Sequence, residues 1–417
     1  MNKLSLNFAK IAEYLFLVAA FFLSLRTEKL MLVPFLHLAD IILILATMAV
    51  FLSGDFRNFI RQNFAKLIPY LKWLGVVAIL IVAGQIFSFA RFGANPLARE
   101  VLMDYFRLIF NLGIFILAAL MVYRNPRILR FIGLAIVVSF VLIIPVYFLT
   151  ISTNQAIYFS AARLSGLIEN PIVFGAWASI ALVLGAGFIF ENIKAWKKIA
   201  LSAWLSFIAA FLLWSGARTA WLSIVLVVIL LLIILWKQKD WNKLKFFLTA
   251  TAAIFIAGYF LIGNNYTYNV SRNQTYSYLT RRAVELVTTP DPYYESRINF
   301  WLESAAGIYR FPFGFGFVDL AAKDQYPGFT GTFLELVVYG GVLALAAFVT
   351  LIIKLVKAAK ITAEQAIQDN ADYIKISWLI AGVALLANIT PFNFFQVRIF
   401  WFVLGIIAGV VLQKNRE

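Results

Sequence analysis

Apolar runs of about 17–25 residues recur along the whole chain, and each is long enough to cross a bilayer as a helix. The approximate spans are 8–25, 30–53, 69–90, 106–123, 128–150, 172–190, 199–214, 219–236, 245–262, 332–353, 374–390 and 396–413. The expected fold class is therefore all-α: a polytopic membrane protein of about twelve transmembrane helices, with residues 1–417 as a single membrane domain. Composition agrees, with 63% of residues hydrophobic and 13% charged, against about half and a quarter in a soluble domain. The N-terminal stretch has no small-residue cleavage site and is expected to stay as the first span.

Charge sets the expected orientation. Twelve spans put both termini on one side, and the basic loops mark that side as cytoplasmic. The inner segments then hold 16 Lys and 6 Arg, and the outer segments 2 Lys and 12 Arg. A general need for positive charge would not sort the two residue types. A need for planar, forked donors that clasp phosphate oxygens would; arginines reaching toward lipid headgroups are the plainer alternative. The net charge of +16 does not point to nucleic acid, because the lysines sit in short loops between spans. With no cysteine and one histidine, His37, inside an apolar run, disulfides and thiolate chemistry are excluded, and a histidine-based metal site nearly so.

Three outer segments depart from the oily pattern. "LLWSGARTAWLSIV" (212–225) places Arg218 in a short break between two spans, with small or hydroxylic Ser215, Gly216 and Thr219 beside it. Thr219 is expected to cap the next helix, whose exposed N–H groups favour an anion. Segment 151–171 brings Arg163, Ser165, Gly166, Glu169 and Asn170 together ahead of a helix start at Asn170-Pro171. Segment 263–331, between the ninth and tenth spans, is the only large soluble piece. Residues 296–309 there show apolar positions at helical spacing and predict an amphipathic helix on the membrane. Pro312, Gly314 and Gly316 predict a tight turn after it. The segment's Tyr, Asn, Gln and Trp residues suit sugar binding, since aromatic faces stack on a pyranose while amides and phenols bond its hydroxyls.

In this order, "RLSGLIENPIVFGAW" (163–177), "SGARTAWLSIV" (215–225), "ESRINFWLESAAGIYRFPFGFGF" (295–317) and "GTFLELVVYGGVLAL" (331–345) resemble the O-antigen polymerase and O-antigen ligase superfamily, bacterial integral-membrane glycosyltransferases of GT-C-like architecture. The resemblance covers about 163–345. It implies a glycan donor carried on undecaprenyl diphosphate and presented on the periplasmic face of the cytoplasmic membrane. It implies membrane lipids as surroundings, a flippase and a chain-length regulator as possible partners, and no cofactor. Arg163, Arg218 and Arg297 match the family's arginines by position and would hold the diphosphate; Arg310 and Arg398 are further candidates. Ligases of the superfamily carry a histidine just before the "FLELVVYGG"-like stretch, where this chain has Thr330 or Gly331. That departure favours a polymerase, which joins lipid-linked repeat units, over a ligase acting on lipid A–core.

In such a transfer the leaving diphosphate gains charge, so guanidinium groups in a site of low dielectric would give most of the stabilisation. No DxD-like pair stands among the outer carboxylates, and metal independence is expected. A general base would be Glu169, Glu295 or Asp324, although Glu169 and Glu295 sit near Arg163 and Arg297 in sequence and could simply pair with them. Asn170, Tyr293, Tyr294, Thr330 and Glu335 are the candidates for the acceptor or sugar region. A flippase or transporter is the main rival from another class, and a scaffold for an export assembly the third. The nearly charge-free spans, with Asp40 an exception, and the absence of an evident internal repeat argue against a transporter.

Overall fold

A computed structural model describes residues 2–23, 31–33, 36–93, 98–145, 159–160, 163–164, 170–191, 193–237, 241–265, 313–317, 332–368, 372–389 and 397–413. The described chain is helical apart from two short antiparallel ribbons. In order, it forms α1 (Asn2–Phe22), β1 (Met31–Val33), β2 (Leu36–His37), α2 (Leu38–Leu52), α3 (Gly54–Asn63), α4 (Ile68–Phe92), α5 (Arg99–Arg124) and α6 (Ile128–Ser139). There follow β3 (Phe159–Ser160), β4 (Arg163–Leu164), α7 (Pro171–Phe190), α8 (Ala195–Ser215), α9 (Arg218–Lys237), α10 (Trp241–Asn265), α11 (Thr332–Gln368), α12 (Tyr373–Ile389) and α13 (Arg398–Gln413). The protein is an all-α polytopic membrane protein. Among the described residues, seven helices are long and apolar enough to span a membrane, and an eighth if the bent pair α2–α3 counts as one span. α12 and α13 are apolar but shorter.

The chain divides into two compact units. The first comprises Met1–Arg57, Asn125–Thr289 and Ala363–Asn388. Its core is α7, which is buried on nearly every side and packs against α6, α8 and α9. Indole N–H groups join its helices. Trp378 donates to the Leu129 carbonyl at 3.1 Å, and Trp204 to that of Val137 at 2.9 Å. With no water in the hydrocarbon, a buried donor needs such a partner.

The second unit comprises Asn58–Arg124, Pro290–Thr362 and Ile389–Glu417. Here α13 lies along α5 at very close range. Gly405 and Gly409, spaced as in a small-xxx-small interface, leave no room for a side chain: an added Cβ would stand 2.5 Å from the Phe115 carbonyl oxygen and 2.7 Å from that of Ala119. Gln413 Nε2 then donates to the Val122 carbonyl at 2.8 Å. This packing pattern is written in "GIIAG" (405–409) but was not among the motifs singled out from sequence.

Three expected boundaries move. The span expected from residue 30 is helical only from Leu38, because His37 starts it: the His37 N–H donates to Asp40 Oδ2 at 2.9 Å. Asp40, the exceptional charge in an apolar run, is thus a helix cap, and His37 lies at the helix end rather than within a span. The tenth expected span, 332–353, continues as helix to Gln368 and breaks at Gly341, whose φ of 74° and ψ of −176° are not helical. α9 begins at Arg218, one residue earlier than expected.

Candidate active site

Arg218 stands at the turn between α8 and α9. Gly216 ends α8 in the left-handed region with φ 58°, where a Cβ costs roughly 1–2 kcal/mol. Its N–H returns to the Leu213 carbonyl at 3.1 Å. Ser215, fully buried, donates from Oγ to the Leu212 carbonyl at 2.6 Å and accepts the Ala217 N–H at 3.3 Å. The Ala217 carbonyl accepts the Trp221 N–H at 3.1 Å and opens the next helix. Thr219 is therefore in the first turn of α9 and does not cap it. Arg218 becomes the first residue of that helix, partly buried, with its Nε sealed from solvent.

The turn is held to α7 by small residues. A Cβ added to Gly175 would lie 2.9 Å from Ala217 Cβ, Ala220 Cβ and Ser215 Oγ alike. Deeper in the same crossing, Ser223 Oγ donates to Ser179 Oγ at 3.2 Å, and Ser179 Oγ to the Gly175 carbonyl at 2.7 Å. Neither Gly175 nor the two serines stood out in sequence; their signal is the run of small residues facing each other across α7 and α9.

α7 starts as the Asn170-Pro171 pair implies. Asn170 Oδ1 accepts the Ile172 and Val173 N–H groups at 2.9 and 3.2 Å, and Pro171 takes a first-turn position where no N–H is needed. Asn170 thus has a structural duty as a cap, whatever else it does. Arg163 lies on β4, paired antiparallel with β3 through Ser160↔Arg163 and Phe159↔Leu164. That strand packs against α7 and α8, the helix pair that also frames the Arg218 turn. Arg163 and Arg218 are therefore on the same unit and against the same two helices. An open groove further along α7–α10, lined by residues such as Leu182, Leu205, Ile224, Leu231 and Ile254, is apolar and offers nothing to a diphosphate.

In the second unit, Glu335 lies in the first turn of α11 with 1% of its surface exposed. Arg398 opens α13 at 7% exposure, its guanidinium carbon 5.7 Å from the centre of the Phe110 ring. Such a cation over an aromatic face is favourable by about 0.5–2 kcal/mol, more as it is desolvated. Arg107 is different in kind, paired with Asp104 of its own helix at 2.7 Å. One expected outer arginine therefore has an ordinary surface explanation.

The other expected site residues, Glu169, Tyr293, Tyr294, Glu295, Arg297, Arg310, Asp324 and Thr330, lie outside the described residues, as does the amphipathic helix expected over 296–309. The turn expected at Gly314 and Gly316 is present, with φ of 72° and 71°.

No curated protein matches the chain. Residues 201–349 match the family model described as O-antigen ligase. That segment starts in α8, contains the Arg218 turn and α9, and ends inside α11 beyond Gly341; Arg163, Asn170 and Arg398 fall outside it. About a third of the chain is thus similar to that family, in support of the resemblance to O-antigen polymerases and ligases.

Proposed function

We propose that the protein polymerises lipid-linked O-antigen or related polysaccharide repeat units at the periplasmic face of the bacterial cytoplasmic membrane, with both termini cytoplasmic. The glycan leaves undecaprenyl diphosphate for a sugar hydroxyl of the next lipid-linked unit. The bond from the anomeric carbon to the diphosphate oxygen breaks, the new glycosidic bond forms, and the acceptor proton goes to a base or to solvent. Arg218 carries this reading. It is the first residue of a helix, so its guanidinium belongs to the end where the helix dipole also favours an anion. Arg163, on a strand against the same helices, and Arg297 complete the diphosphate clamp, with Arg310 and Arg398 as further contacts. Glu169, Glu295 and Asp324 are the candidate bases. Asn170, Tyr293, Tyr294, Thr330 and Glu335 belong to the acceptor or sugar region. The reaction is metal-independent, and a flippase and a chain-length regulator are its working partners.

The test is made in vesicles carrying purified protein and lipid-linked repeats. Polymer is expected from the wild type, also with chelator present. Arg218→Lys keeps the charge but loses the fork, and it should lose at least about 10²-fold in rate, the scale of removing one transition-state donor. Near-normal polymer from this variant contradicts the clamp. The absence of histidine at 330–331 favours polymerase over ligase. Cells lacking the gene should show single-repeat lipopolysaccharide; bare core with accumulated lipid-linked polymer would make the protein a ligase.

A further inference from the structure

We infer that the Phe313–Phe317 turn is an anchor that plugs the break in α11, and that Gly84, Gly316 and Gln85 are positioning residues that fix where it docks. The break at Gly341 takes the Val338 and Tyr339 carbonyls out of the helical ladder, since their partners would be the N–H groups four residues on. Both carbonyls are satisfied instead from the turn: Phe315 N–H donates to Val338 at 2.6 Å and Gly316 N–H to Tyr339 at 2.8 Å. Broken helices survive in a membrane when other backbone restores the lost bonds.

The fit is set by missing side chains. A Cβ on Gly84 of α4 would stand 2.6 Å from the Tyr339 carbonyl oxygen, 2.7 Å from Gly316 N and 2.8 Å from the Phe313 carbonyl oxygen. A Cβ on Gly316 would meet the Cα, Cβ and Oε1 of Gln85, each at 2.5 Å. Gln85 thus fills the space that a side chain at 316 would take. It is 3% exposed, and among the described residues neither amide atom has a hydrogen-bond partner. Leaving such a group unpaired is unfavourable, so the turn is seated there in spite of the amide. Around it the Phe317 ring packs on Tyr105 at 4.8 Å and on Tyr339 at 4.9 Å between ring centres.

The anchor has a catalytic consequence, which rests on the proposed polymerase reading. The turn follows Arg310 by three residues, and Tyr339 stands one helical turn beyond Glu335. The same two hydrogen bonds therefore tie this turn of the large outer segment to the helix that carries Glu335. Displacing the anchor would misalign Glu335, in the acceptor region, and Arg310, whose contact with the diphosphate counts most as leaving-group charge grows.

Two measurements test this. The Phe315 N–H bonds the Val338 carbonyl at 2.6 Å, which brings the two backbones within reach of a disulfide, and the chain has no cysteine of its own. The Phe315→Cys/Val338→Cys pair should cross-link within one chain on mild oxidation in the membrane, without substrate. An inserted double variant that does not cross-link overturns the anchor. Separately, Gly84→Ala and Gly316→Ala should lower kcat for polymer at least about 10-fold while KM for the lipid donor stays within about threefold, since misplacement of this kind acts on the reacting geometry. Gly75→Ala, on the same helix with nothing near its Cβ, is the control. If the three alanine variants polymerise alike, the positioning role is overturned even where the cross-link forms. An inactive wild type would sink the proposed reaction and leave the anchor to the cross-link.

Discussion

Glycine interrupts helix in both units, with opposite results. At Gly216 the chain turns within four residues, and the next helix opens on Arg218 with its own serine and alanine completing the bonds. At Gly341 the helix breaks and continues, and the released carbonyls are met by residues more than twenty positions earlier. The first interruption is closed by its neighbours and presents a side chain. The second is closed by a distant segment and holds that segment in place. One sets an arginine at a helix start, and the other fixes a position.

The largest effect should come from removing the second interruption. Gly341 combines φ 74° with ψ −176°, a region essentially reserved for glycine, so Gly341→Ala introduces about 1–3 kcal/mol of strain. It also urges α11 to run straight, which would return the Val338 and Tyr339 carbonyls to the helix and release the Phe313–Phe317 turn. Loss of polymer and a clear fall in detergent melting temperature are both expected. Gly216→Ala meets the milder left-handed strain of about 1–2 kcal/mol and should fall less in stability than in activity, because what it moves is Arg218. Equal effects in both readouts at both sites would erase the distinction drawn above.

Legibility follows the same division. The Arg218 turn, the Asn170-Pro171 cap and the all-α membrane class were readable because each rests on residues within one or two turns of each other, or on run length alone. The exact start of α9 was not: Thr219 looked like the cap, but the Ala217 carbonyl accepts the Trp221 N–H and opens the helix before it. The docking of Gly316 on Gln85 was not readable either, since nothing in "FPFGFGF" says which helix it meets. Likewise Gly405 reads as an ordinary span residue until Phe115 is seen against it. Contacts of long sequence separation leave no local mark beyond the glycine itself.

A third substitution sharpens the comparison by disturbing the Arg218 turn from outside. Gly175→Ala would push a methyl against Ala217, Ala220 and Ser215, each 2.9 Å away. Overpacking of this kind costs about 1–3 kcal/mol, and the start of α9 is the part that must yield. A rate loss of about 10-fold, on the scale of a sub-ångström displacement of a clamp, is expected in the vesicle assay with insertion unchanged. An alanine variant with wild-type rate would mean that the turn keeps its place without α7.

The smallest effect is expected at the far end of α7, where neither interruption reaches. Glu191 caps that end, and its carboxylate lies 2.6 Å from Arg130. Burial pushes its pKa above the ordinary value of 4.5; Arg130 pulls it down and Asp372 adds a further upward push, with burial the largest influence. A carboxyl whose pKa rises on folding holds its proton more tightly in the folded chain. Its contribution to stability is therefore full below about pH 4.5 and is lost as pH climbs through the raised value. The wild type should lose some melting temperature over that interval, and Glu191→Gln, which cannot ionise, should lose less. Arg130 is more than half exposed, so the ion pair forgone in that variant is worth little. Polymer rate should not follow the same pH curve, because Glu191 and Arg218 lie at opposite ends of the α7–α9 bundle. A variant that flattened the activity profile as well as the melting curve would show the two ends to be coupled, and the Arg218 turn would no longer be a locally closed device.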